Sequence, residues 1–272
     1  MKITSAALIA LMFICSVSFG ENIWDLQAID AQGQGTHPKV GADATNSSNK
    51  VTVQGIALNS SAEYLDPNLM WQVYVQAESP DQGALAAWAG VFYNSDWPRY
   101  PTNIEPGDRV QIEGFIADHR GKVNINERHS ADPSLQFTVT ILDENVGMPE
   151  PQTITDLSTC NYFDETRTDG AEKYQGQWVK LSKVHFTSGT WGAGESLLVE
   201  DDGGSTMTVL LSGQGDFDEH TQPSGDLDIV GVFDQEDTDL PFHDGYRVWV
   251  KRDEHITEWT GVEDWEIYDF RQ

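Results

Sequence analysis

Cysteine is nearly absent. The 272-residue chain has two, Cys15 and Cys160. Cys15 falls within an apolar leader, so Cys160 stands alone and no intramolecular disulfide is expected. No basic cluster lies near Cys160 to lower its pKa, and it reads as a small buried hydrophobe. Cations are scarce as well: 16 Lys and Arg face 44 Asp and Glu, for a formal charge of −28. Such a field keeps a protein soluble and repels DNA and anionic lipid. It suits a solvated surface in saline or extracellular surroundings.

Catalytic phrases are missing too. The histidines are His37, His119, His129, His185, His220, His243 and His255. No two stand four apart with a glutamate between them, and neither a Gly-x-Ser-x-Gly elbow nor a phosphate loop occurs. Glu127 and His129 share a strand face and His119 is near in sequence, but surface polarity beyond a hairpin explains them equally well. An enzyme is not expected. No long apolar run is present beyond Ala6 to Val17, which is too short for a comfortable membrane span.

The first twenty residues read as a signal peptide. Met1-Lys2 opens them, the apolar run follows, and Ser18-Phe19-Gly20 offers small residues for cleavage before Glu21. Cys15 follows Phe13-Ile14, which does not suit a lipoprotein signal. The expectation is a secreted or periplasmic protein without a membrane anchor. Residues 21–50 read as an N-terminal extension or linker, with a short apolar segment from Ile23 to Ile29.

From Val51 onward the pattern is that of strands. Val51 to Leu58, Trp71 to Gln76 and Leu85 to Tyr93 are followed by Pro106-Gly107-Asp108, which feeds Arg109 to Ala117. Val110, Ile112 and Ile116 recur there at even spacing. Gly121 to Asn126 answers across a hairpin, and Phe137 to Leu142 alternates once more. Met148-Pro149-Glu150-Pro151 then reads as an extended spacer within a linker and entry segment, 148–176. The order returns in Trp178 to Phe186, Ser196 to Glu200, Met207 to Leu211, Leu227 to Phe233 and Tyr246 to Lys251. Gly225-Asp226 enters the fourth of these as Gly107-Asp108 entered its counterpart, and Gly231 stands where Gly114 stood. An internal duplication is expected. The fold class is all-β, with two tandem five-stranded OB-like β-barrels at 51–147 and 177–259 and an acidic tail at 260–272.

The first unit combines Val51-Thr52-Val53-Gln54-Gly55, Val91-Phe92-Tyr93, Pro106 to Gly114 and Gly121-Lys122-Val123. It resembles the OB-fold modules that accompany bacterial extracellular, sugar-nonspecific nucleases. Tyr174 to Leu181 and Val184 to Gly189 resemble the companion module. The resemblance spans roughly residues 51–258. In that family a separate phosphoesterase domain carries catalysis, and this chain ends where it would begin, so the resemblance implies an OB pair without its enzyme. The Asp-Gly-Asp-Thr and Arg-Leu-x-Gly phrases of calcium-dependent OB-fold nucleases are missing here.

Aromatics supply the candidate ligand surface. Trp71, Tyr74, Trp88, Phe92 and Tyr93 in the first barrel, with Trp97 nearby, and Trp191 and Trp249 in the second, are the side chains for stacking on a ligand. The same residues could equally be core. The expected partner is an extracellular saccharide or protein. Single-stranded nucleic acid is the alternative, disfavoured by charge because only Arg109, Arg120, Lys122 and Arg128 lie near one another. No cofactor is expected apart from calcium, for which Asp237, Asp239 and Asp244 pack carboxylates into one loop and Glu200-Asp201-Asp202 form a second cluster. The spacing matches no EF-hand, and a solvated loop explains it as well. The oligomeric state is left open.

Overall fold

A computed structural model describes residues 20–79, 81–91, 99–128 and 130–261. The first barrel contains β1 (Val51–Ala57), β2 (Met70–Gln76), β3 (Ala84–Gly90), β4 (Arg109–Gly114), β5 (Ile116–His119) and β6 (Lys122–Asn126), with β7 (Thr138–Asp143) added at one edge. The sheet order is β5-β6-β3-β2-β1-β4-β7. Only Phe115 separates β4 from β5, so these two act as one bent strand. It pairs with β1 through β4 and with β6 through β5, and this closes five strands on themselves.

The second barrel contains β9 (Trp178–Gly189), β10 (Ser196–Glu200), β11 (Thr206–Leu211), β12 (Leu227–Gln235) and β13 (Tyr246–Val250). Two short strands, β8 (Gln152–Ile154) and β14 (Ile256–Glu258), flank it. The pairing of β12 with both β13 and β9 closes this barrel. In each barrel the third strand runs parallel to the fifth, β3 to β6 and β11 to β13. The fold is therefore two OB-like barrels, as the strand pattern predicts.

Side-chain alternation builds each wall. In β4 and β11 every second residue is buried, because successive strand residues point to opposite faces. The matched glycines serve a close approach. A Cβ on Gly114 would come within 2.6 Å of Phe137 Cβ, and one on Gly231 within 2.6 Å of the Trp249 carbonyl oxygen. A partner crosses each fourth strand where only glycine leaves room.

Three apolar clusters follow. The first holds Trp71, Val73, Val110, Ile112 and Phe137, with Ile23 and Leu26 from the N-terminal segment. Residues 21–50 thus contribute to the body, and Ile23–Leu26 forms a single helical turn whose first N–H groups are accepted by Asp81. The second cluster holds Leu157, Cys160, Val179, Phe217 and Phe233. Burial raises the Cys160 thiol pKa to about 12, assisted by Asp156 and Asp201.

The third cluster lies between the barrels: Leu58, Tyr64, Tyr74 and Ala86 of the first against Trp178, Val230, Val232 and Trp249 of the second. Met148 to Pro151 lie between the two barrels in sequence, and the barrels dock face to face, each covering outward apolar residues of the other.

Candidate binding cleft

β2 turns Trp71, Val73 and Val75 into its barrel and Gln72 and Tyr74 outward. β3 likewise turns Ala86 and Trp88 outward, and β6 turns Lys122, Asn124 and Asn126 outward. The second barrel sits on one end of this outer face, over Tyr74 and Ala86. The other end forms the floor of a cleft of about 310 Å³. Gln72, Trp88, Asn124 and Asn126 line that floor, the β5–β6 hairpin lines one side, and Glu236, Arg247 and Trp249 of the second barrel form the far wall. Register makes the floor coherent: Trp88 is paired with Gln72 on one side and with Asn126 on the other. A partly buried indole therefore lies between two amide side chains from neighbouring strands.

Charges beneath the cleft lock the two barrels. Asp234 is 1% exposed. Its Oδ1 accepts from the Tyr74 hydroxyl at 2.8 Å and from Lys122 Nζ at 2.6 Å. Its Oδ2 accepts from Arg247 Nε at 3.0 Å and Nη2 at 2.7 Å. Burial alone would raise the pKa of this carboxyl, but Lys122 and Arg247 outweigh it and hold the pKa below the ordinary value. Glu236, nearer the mouth, meets Arg120 at 3.3 Å, His119 at 3.6 Å, Arg247 at 3.7 Å and Lys122 at 3.9 Å. Burial again opposes ionisation, but these partners bring its pKa down to about 2.

Two polar atoms in the lining find no protein partner. Gln72 Oε1 and Trp249 Nε1 are buried without a hydrogen bond, on side chains of residues that are each 6% exposed. Trp249 packs its ring on Tyr64 at 4.6 Å between centroids. Buried acceptors and donors are ordinarily satisfied; among the described residues Arg99 Nη1, Arg128 Nε and His255 Nδ1 share this state away from the cleft.

Among the described residues, the aromatic side chains expected to form one platform are dispersed. Trp71 is buried in the first core, with its Nε1 donating to the Pro101 carbonyl at 2.8 Å. Tyr74 and most of Trp249 are consumed by the inter-barrel core. Trp191 caps the second barrel, packing edge-on against Phe186 and Phe217, and donates to the Phe217 carbonyl at 2.8 Å. Phe92 and Tyr93, like Trp97, lie outside the described residues. Among the described residues of the set, Trp88 lines the cleft floor, with part of Trp249 at its wall. Gln72, Asn124, Asn126 and Arg247 join them, none of which was singled out as a site residue. Their signal was polar residues alternating with Trp71-Val73 and Val123-Ile125.

The acidic loops are explained by their own backbones. Asp237 accepts the N–H of Asp239 at 3.0 Å and that of Asp244 at 3.1 Å, which ties the loop shut. Asp239 and Asp244 are exposed. Asp201 accepts the N–H groups of Leu157, Gly203 and Ser205. Among the described residues no group of three or more His, Cys, Asp or Glu side chains converges as a metal site would, so geometry lends calcium no support. Glu127 is fully buried and paired with Arg99 and the Tyr100 hydroxyl. His129 lies outside the described residues.

A second hollow, about 610 Å³, lies beside residues 146–149, and no aromatic lines it among the described residues. Its Arg109 is held by Glu78 and Asp143.

No family model matches this chain, and no curated protein matches it. A structure solved in work on the "Molecular basis for abrogation of activation of pro-inflammatory cytokines" is 10% identical. The match covers 75% of this chain and 90% of that one, with a TM-score of 0.32. A likeness that loose carries no argument about fold or function.

Proposed function

We propose that this chain is an exported, non-catalytic binding protein that takes a saccharide in the cleft between its barrels. The observation that carries the reading is Trp88, seated between Gln72 and Asn126 on the outer face of β2, β3 and β6. An aromatic face flanked by amides suits a sugar ring, whose C–H face packs on the indole while its hydroxyls exchange hydrogen bonds with the amides. This face of an OB barrel, between the β1–β2 loop and the hairpin of the last two strands, suits oligosaccharides and oligonucleotides. The charge of −28 opposes the second class. Export rests on the leader pattern of the first twenty residues. The resemblance to modules that accompany extracellular nucleases supports a role beside a partner enzyme.

Calorimetric titration of the mature chain against a panel of oligosaccharides tests the reading. Trp88→Ala is expected to weaken binding at least tenfold, about 1.4 kcal/mol, with the circular dichroism spectrum unchanged. Equal affinity in the variant would place the ligand elsewhere.

A further inference from the structure

We infer that the cleft selects an uncharged, hydroxyl-bearing saccharide and discriminates against acidic ones. The inference rests on the cleft reading above and adds the chemical class of the ligand. Its first ground is that the cleft's charges are already committed. Lys122 and Arg247 are engaged by Asp234, and Arg120 and His119 face Glu236. An anionic ligand would have to draw a cation from a carboxylate that stays behind, and Glu236 at the wall would repel it.

The second ground is the pair of unpartnered atoms. Gln72 Oε1 accepts and needs a donor, whereas Trp249 Nε1 donates and needs an acceptor. A carboxylate or sulfate can serve the indole N–H but has no proton for Gln72. A hydroxyl both donates and accepts, so a hydroxyl-bearing ring, more than an acid group alone, is the chemistry that suits the two side chains. The far wall comes from β13, so selectivity needs both barrels. Gln72 and Trp249 are then the specificity-determining residues, and Trp88 supplies the stacking face.

The test titrates the full mature chain at low and high salt with short cello-, laminari-, manno- and chito-oligosaccharides. Oligogalacturonate, a heparin fragment and oligothymidylate are the charged comparisons. The expected result is binding of at least one neutral oligosaccharide, with affinity nearly unchanged by salt. Gln72→Leu, which keeps the volume and removes the acceptor, should weaken it about tenfold. Gln72→Glu should weaken it less, because an acceptor is retained. Binding of acidic sugars alone, falling steeply with salt and lost in Trp88→Ala, would overturn the inference while keeping the cleft. Binding that ignores Trp88→Ala, binding of oligothymidylate alone, or no binding to any of the panel would overturn both.

Discussion

At the scale of single residues, the strongest constraint is the Asp234 carboxylate. It holds Tyr74 and Lys122 from one barrel and Arg247 from the other. Removing one member of a buried ion pair costs about 3–5 kcal/mol, because the remaining charges are left uncompensated. Asp234→Ala is therefore expected to lower the free energy of unfolding in urea by that amount. A loss under about 1 kcal/mol would mean that the network is solvated. Glu172 acts in the opposite sense. Burial raises its pKa to about 7, against the lowering effects of hydrogen bonds from Tyr246 and Gln175 and of the Arg167 charge. A carboxyl whose folded pKa is raised stabilises the fold while protonated. That contribution is complete below the ordinary glutamate value of 4.5 and fades as pH rises through about 7. Glu172→Gln should remove the part of the stability loss seen between these values. An unchanged pH profile would assign the loss to other groups.

At the scale of elements, the β5–β6 hairpin is the sharpest case. Gly121 has φ of +91°, and a Cβ there would come within 2.5 Å of the Gln235 side chain across the barrel interface. Gly121→Val combines backbone strain with that clash and should cost about 2–4 kcal/mol, with a matching fall in the melting midpoint. The hairpin was legible in the sequence because strand alternation on both sides of Arg120-Gly121 is a local signal. The strands of both barrels were legible for the same reason: period-two burial needs no knowledge of partners. The faces were harder. Even spacing groups Trp71 with Val73 and Val75, and groups Gln72 with Tyr74, but it does not say which group is inside. Nor can it show that the outer group is half covered. Tyr74 meets Asp234 from 160 positions away, and a docking contact of that kind leaves no periodic trace. The aromatics therefore stood out by size, while the amides beside Trp88 did not.

At the scale of the whole molecule, two closed barrels behave as one body. Tyr64 packs on Trp249, Lys251 donates to the Leu58 carbonyl at 3.0 Å, and the Trp178 N–H reaches Gln76 at 2.8 Å, all across the interface. With a shared apolar core added, neither barrel can unfold without exposing the other. A single calorimetric transition is expected, and Trp249→Ala should lower it without splitting it. Two separated transitions in the unmodified chain would show the barrels to be independent. The same docking forms the cleft, since floor and wall come from different barrels, so the cleft exists only in the assembled pair. Fluorine NMR of protein labelled with 5-fluorotryptophan tests this claim most directly, with signals assigned by single Trp→Phe substitutions. On addition of a bound neutral oligosaccharide, the Trp88 and Trp249 signals should shift while that of Trp71, inside the first barrel, stays in place. Shifts confined to Trp191, or to no tryptophan of the cleft, would contradict the account.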